Sequence, residues 1–229
     1  MIQSTDKKIW LPDGDTWYKW SDNWELDEYN EVMQHISEKN VAIDIGAHVG
    51  IWSMRLAEQF KKVYAFEPVP KHIECWKQNM LRYTDSRNYP EKTITLETVA
   101  LSNIEGTNKL NVCTINSGMS TFTPKEYTNV GEWSKVEVKT RPLDSYDFDK
   151  IDFIKIDVED HEYKLLLGAK ETIKKHKPVL YIEITDHEAI RFLESLKLGY
   201  KLIYGTSMNR LYKSNTVVED LQELLKTQK

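Results

Sequence analysis

Val41-Ala-Ile-Asp-Ile-Gly-Ala-His-Val-Gly50 is the stretch that decides the fold of this 229-residue chain. An apolar run carrying one acid, Asp44, meets the turn Gly46-x-x-x-Gly50, and helical character begins at Ile51. A buried parallel strand that delivers a nucleotide-like ligand to a helix N-terminus has this form. Glycines at 46 and 50 let the backbone approach a ligand closely and let the helix start tightly. Ala47 and His48 lie between them, and His48 reads as a residue that shapes the ligand site rather than a base. The spacing is not the Gly-x-Gly-x-x-Gly of dinucleotide sites. Asp44, two residues ahead of the first glycine, would collide with a pyrophosphate and suits a cationic ligand.

Outward from this turn, strand and helix alternate. Residues 25–38 have helical spacing (Leu26, Tyr29, Val32, Met33, Ile36), and a helix is predicted over 51–60. Strands follow at 62–66 and 93–99, with a helix over 70–83 between them. The pattern resumes with strand 151–156, a helix over 162–176 and strand 179–184. This alternation means βαβ units and a mainly parallel, doubly wound α/β sheet. Between 104 and 141 the period changes to two, around a Ser-Gly-Met-Ser turn at 117–120, and an inserted antiparallel hairpin overhanging the active face is predicted. Thr185-Asp-His-Glu188 and Thr216-Val-Val-Glu219 are capping boxes opening two further helices. Segments 200–204 and 210–213 read as a closing hairpin. Residues 1–24 hold four of the seven tryptophans, Trp10, Trp17, Trp20 and Trp24, and read as an aromatic flap, either packed on the domain surface or forming a lid or wall over a substrate site. The rest, 25–229, reads as one domain.

Composition narrows the function classes. A net charge of −5 and a pI near 5.8 argue against nucleic acid as the main partner. Cys75 and Cys113 lack metal-ligand spacing and read as reduced thiols, and no residue set is assigned to a metal. No apolar run approaches the roughly 20 residues of a membrane span. No signal peptide is expected, which places the chain in the cytoplasm by default.

The chemistry-bearing residues fall at strand ends, where open α/β sheets bind ligands. Asp44 would accept hydrogen bonds, directly or through water, from an ammonium group. Glu67, 21 residues beyond Gly46 and followed by Pro68, can take both hydroxyls of a ribose. Backbone groups near Ala100 and Leu101 are candidate adenine contacts. A ribose-bearing ligand with a cationic end is S-adenosylmethionine rather than a nicotinamide dinucleotide. At the end of strand 151–156, Asp157, Glu159 and His161 form a cluster that can orient an acceptor hydroxyl, take its proton or hold a divalent ion. A neutral imidazole is the best-matched base of the three. Glu162 reads as a helix N-terminal charge. Glu183 can line the acceptor pocket or pair with Lys155 or Arg191.

With these residues assembled, the chain resembles the FkbM family of S-adenosylmethionine-dependent methyltransferases. The resemblance rests on Asp44-Ile-Gly-Ala-His-Val-Gly50, Ala65-Phe-Glu-Pro68, Val99-Ala-Leu-Ser102, Arg141-Pro-Leu-Asp-Ser145, Phe153-Ile-Lys-Ile-Asp-Val-Glu159 and Pro178-Val-Leu-Tyr-Ile-Glu183. It implies a class I, Rossmann-like methyltransferase fold with a seven-stranded sheet whose last strand is antiparallel. It also implies methyl transfer mainly to hydroxyl oxygens of sugars, glycans or small metabolites. Two residues depart from the family pattern: His48 stands where Asn is usual, and Asp160 where Gly is usual. The rival readings are an NAD-dependent oxidoreductase, a non-catalytic cofactor-binding module and a nucleic-acid methyltransferase.

Overall fold

The computed structural model describes residues 1–16, 23–87, 94–123, 132–184 and 187–215. In chain order its first strands are β1 (Ile2–Gln3), β2 (Trp10–Leu11), β3 (Val41–Ile45), β4 (Lys62–Phe66) and β5 (Ile94–Glu97). Three more form a separate small sheet: β6 (Ala100–Leu101), β7 (Gly106–Cys113) and β8 (Trp133–Arg141). The last four are β9 (Phe153–Ile156), β10 (Val179–Glu183), β11 (Tyr200–Gly205) and β12 (Asn209–Ser214). The helices are α1 (Leu26–Gln34), α2 (Ile51–Gln59), α3 (Pro70–Arg87), α4 (Glu162–Gly168), α5 (Lys170–His176) and α6 (His187–Ser195).

The central sheet has seven strands in the order β11-β12-β10-β9-β3-β4-β5. Strands β3, β4, β5, β9 and β10 pair in parallel, whereas β12 runs antiparallel to both β10 and β11. This is the class I arrangement the resemblance implies. Strand β3 is hydrogen-bonded on both edges, to β4 and β9, and Ala42 through Ile45 are all buried. A strand covered on both faces needs a continuous apolar run, which 41–45 supplies apart from Asp44. Chain order reverses between β3 and β9, so a crevice opens at their carboxyl ends.

Side chains alternate between two cores, as a pleated strand requires. On one face Ala42, Val63, Phe153 and Tyr181 pack with Trp52 and Leu56 of α2 and with Trp76 of α3. On the other Ile43, Ile45, Ile154 and Ile156 meet Leu165 and Leu166 of α4, Ile173 of α5 and Leu193 of α6. Ile9 and Leu11 are each 3% exposed and join the first core, so the N-terminal segment packs on the body of the sheet. Asn79 in α3 fixes it there, accepting from the Trp10 amide (2.7 Å) and donating to the Trp10 and Val49 carbonyls (3.0 and 2.8 Å).

Several expected elements differ in extent. Helix α1 stops at Gln34 rather than running to 38. The single helix expected over 162–176 is two helices meeting at Ala169. Gly168 explains the close fit at that joint, because a Cβ there would lie 2.0 Å from the Ser102 carbonyl oxygen. The inserted hairpin is β7 paired antiparallel with β8, and β6 adds a short parallel strand to it. Trp17, Trp20, Thr185 and the helix expected from Thr216 lie outside the described residues. Both cysteines are buried and unpaired. No helix among the described residues is long and apolar enough to cross a membrane.

Candidate active site

A cavity of about 370 Å³ opens where β3, β4 and β9 end. Gly46 and His48 of the glycine turn line it, with Glu67 and Pro68 from the end of β4, Ala100 and Leu101 from β6, and Asp157, Glu159 and His161 beyond β9. Ala47 and Gly50 are buried behind the turn, and Asp44 lies deeper still.

The turn is built from its neighbours. The amides of Gly46 and Ala47 both donate to the Phe66 carbonyl at 3.0 Å, joining the ends of β3 and β4. Gly46 has φ +74°, and a Cβ there would sit 1.8 Å from the Asp157 carbonyl oxygen. His48 has φ +51°, in the left-handed region that Asn, Asp and His enter more readily than other residues. Asp160 has φ +69° and follows Glu159 at +50°. Both departures from the family pattern therefore occupy backbone that Asn or Gly would also accept.

Glu67 is 4% exposed and is held by the protein itself. Its Oε2 accepts from the His48 amide (2.9 Å), and its Oε1 accepts from the Val69 amide (2.9 Å) and lies 3.1 Å from His72 Nδ1. A carboxylate has about four acceptor positions, so one stays available for a ligand hydroxyl.

Asp44 does not line the cavity and is fully buried. Its Oδ2 accepts from Ser53 Oγ at 2.6 Å, and its Oδ1 lies 3.8 Å from Lys155 Nζ. Lys155 was not singled out as a site residue, yet it is the central cation. Its Nζ donates to the Gly46 carbonyl (3.2 Å) and to Asp157 Oδ2 (2.9 Å). Burial disfavours its charge, but Asp157, Asp44 and Glu25 outweigh that and hold its pKa above the ordinary lysine value. The sequence signal was a lysine inside Phe153-Ile-Lys-Ile156, where every residue is buried.

These geometries match a family. The model of the methyltransferase FkbM domain matches residues 44–202. The chain belongs to that family.

The structure of methyltransferase FkbM from Methylobacillus flagellatus KT is similar at 23% identity and a TM-score of 0.54. The match covers 76% of this chain and 43% of that one, so the chain spans less than half of that protein's length. An rRNA methylase from Streptococcus thermophilus matches at 14% identity over 82% of this chain and 95% of that one (TM-score 0.47). Precorrin-6y C5,15-methyltransferase from Geobacter metallireducens GS-15 matches at 15% identity over 81% and 84% (TM-score 0.46). No curated protein sequence matches significantly.

The lining can be set against the expected ligand, S-adenosylmethionine. Ala100, Leu101 and Phe122 give the cavity an apolar wall, and Glu67 retains one acceptor position. Acidic groups suit the positive charge of a sulfonium and an ammonium. Asp157, Glu159 and Glu183 bring carboxylate oxygens within 4.8 Å of one another. Burial works against the Asp157 anion, but Lys155 outweighs it and holds its pKa below the ordinary aspartate value. Burial, and then the Asp157 charge, push Glu183 up to about 10. The two acids hydrogen-bond to each other and carry one proton between them at neutral pH. Glu183 therefore lines the cavity beside Asp157, with the Lys155 charge also acting on it.

His161 stands elsewhere. It is 5% exposed, its Nε2 lies 3.0 Å from Ser102 Oγ, and its ring centroid is 4.6 Å from that of Phe122. That puts it on the side of Ala100 and Leu101. Burial, reinforced by Lys164, lowers its pKa to about 4, which leaves it neutral but weakly basic. Glu162 stands in the first turn of α4, as expected of a helix-start charge, but it is 1% exposed, and burial pushes it up to about 8. Trp24 of the flap and the 116–120 loop of the insertion line the cavity, as their reading as pocket walls expects, whereas Glu25 and Trp52 carried no sequence signal because they reach it from distant parts of the chain.

Proposed function

We propose that the protein is an O-methyltransferase acting on a hydroxyl of a sugar, glycan or small metabolite. The observation that carries this reading is the Asp157–Glu183 carboxyl pair, which lines the cavity beside the glycine turn. A hydroxyl needs an acceptor for its proton and a donor to orient its lone pairs, and a singly protonated carboxyl pair offers both. Trp24 and Trp52 add aromatic wall of the kind that covers the apolar faces of a sugar ring.

When bound, S-adenosylmethionine supplies an electrophilic methyl group. The chain positions the two reactants and excludes water. Gly46 and His48 would border the amino-acid end of the donor, Glu67 its ribose, and Ala100 and Leu101 its adenine. Asp44 would act through Lys155, as a buried counter-charge that keeps the lysine ionised. Asp157 would receive the acceptor's proton. An oxygen acquiring a third bond becomes strongly acidic, so even a weakly basic carboxylate can take that proton.

The test is methyl transfer from labelled S-adenosylmethionine to a panel of sugars, glycolipids, small hydroxylated metabolites and RNA. The reading expects label on an oxygen of a sugar or small-molecule acceptor. Label found on RNA or on nitrogen overturns it.

A further inference from the structure

The donor cavity is walled on one side by Asn116–Ser120, a segment between β7 and β8 that reaches the cavity from far along the chain. Its attachment is unusual. Ser117 is 4% exposed, and both its amide (3.2 Å) and its hydroxyl donate to Asp15 Oδ2. Asp15 is 2% exposed and belongs to the N-terminal segment. The same Ser117 oxygen lies 2.6 Å from His48 Nε2, inside the glycine turn. Because the serine proton points to the carboxylate, its lone pair faces the ring, and His48 is the donor through Nε2–H. The His48 amide in turn donates to Glu67, the ribose acid (2.9 Å).

A second set of contacts runs beside this one. Thr16 donates to the Ile115 carbonyl through both its amide and its hydroxyl, each at 2.8 Å. On the far side of the cavity, Thr121 Oγ1 donates to the Glu159 carbonyl at 2.5 Å. The 115–121 segment is therefore anchored at three places: the N-terminal segment, the glycine turn and the loop after β9.

We propose that Asp15, Ser117 and His48 form a clasp that holds this segment over the donor cavity and makes the N-terminal segment part of the donor site. The proposal rests on reading this cavity as the S-adenosylmethionine site. Residues 1–16 are remote in sequence from every donor-binding motif, yet they hold the wall in place before the donor arrives. A wall ordered in advance loses little freedom on binding, which raises affinity mainly by slowing release. Asp15 and Ser117 act as positioning residues, since their effect passes through His48 and the wall. The clasp also gives the histidine at 48 a use: its side chain spans from the turn to Ser117.

The experiment compares wild type with Ser117→Ala, Ser117→Thr, Asp15→Ala and the Asp15→Ala/Ser117→Ala double variant. Calorimetry and stopped-flow release measure S-adenosylhomocysteine binding, and limited proteolysis measures cleavage within residues 1–16. Each alanine variant should weaken binding about tenfold through faster release, as expected for losing a hydrogen bond to a charged group. The double variant should be no weaker than about twofold beyond either single one, because both break the same unit. Ser117→Thr keeps the hydroxyl and should stay close to wild type. Unchanged affinity in a folded Ser117→Ala protein overturns the clasp, and so do losses that multiply in the double variant. If wild type binds no S-adenosylhomocysteine, the donor-site reading fails instead. The clasp then stands or falls on whether the alanine variants expose residues 1–16 to cleavage.

Discussion

Gly46 faces the backbone carbonyl of Asp157 so closely that a Cβ on the glycine would lie 1.8 Å from that oxygen. This contact joins the loops that follow β3 and β9 at the switch point of the sheet. Gly46→Ala must therefore push the Asp157 loop away while also holding a side chain at φ +74°. We expect a loss of roughly 2–4 kcal/mol in stability, from overpacking plus left-handed strain. S-adenosylhomocysteine binding should be lost as well. Denaturant unfolding and calorimetry check both, and near-wild-type stability would contradict the contact.

Asp157 and Glu183 differ in protonation, so their amide variants should differ in effect. Glu183, pushed up to about 10 by burial and by Asp157, is a hydrogen-bond donor at neutral pH, and Gln can replace it as one. Asp157 is held below the ordinary aspartate value by Lys155 and, in the proposed mechanism, receives the acceptor's proton. Glu183→Gln should keep kcat within about tenfold of wild type, while Asp157→Asn should lower it by about a hundredfold or more. Steady-state kinetics with the identified acceptor decide this. Equal losses would show that the pair is not divided in this way.

His161 should not appear in the pH dependence of turnover as a group near 6.5, since burial and Lys164 lower it to about 4. His161→Ala should instead weaken donor binding, because the ring packs on Phe122 beside the expected adenine wall. A kcat profile whose limb near pH 6.5 disappears in His161→Ala would restore the histidine as the base.

Glu162 makes the fold sensitive to alkaline pH. Its folded pKa, about 8, stands above its unfolded value near 4.5, so the folded state holds the proton more tightly. The stability tied to this proton is complete below pH 4.5 and is lost as pH rises through 8. His161, lowered from 6.5 to about 4, works in the opposite sense, favouring the fold as pH rises from 4 to 6.5. The Glu162 effect is therefore least opposed between 6.5 and 8. Glu162→Gln carries no such proton and should gain thermal stability relative to wild type across that interval. Melting curves at pH 6, 7 and 8 measure the gap, which should widen with pH.

The fold was legible because its signals are local. The apolar run of β3, the glycine turn and the repeated strand–helix spacing depend on neighbours within a few residues. Element ends were less legible. At the break beside Ala169, Gly168 meets Ser102, a partner 66 residues earlier. The antiparallel register of β7 and β8 was visible as a period of two and their place over the active face was expected, but not which of their residues reach the cavity.

Sequence alone determined the order of the sheet's building blocks, the family, and which residues stand at strand ends: Gly46, His48, Glu67, Ala100, Leu101, Asp157, Glu159 and His161 all line the cavity. Tertiary structure decided what each of them faces. It buried Asp44 beneath Lys155, paired Asp157 with Glu183, set His161 against Ser102, and brought Asp15 and Ser117 to His48. The physical reason is that backbone propensity and hydrophobic period are written into adjacent residues. Desolvation, charge pairing and hydrogen-bond partnership depend on groups that only folding brings together.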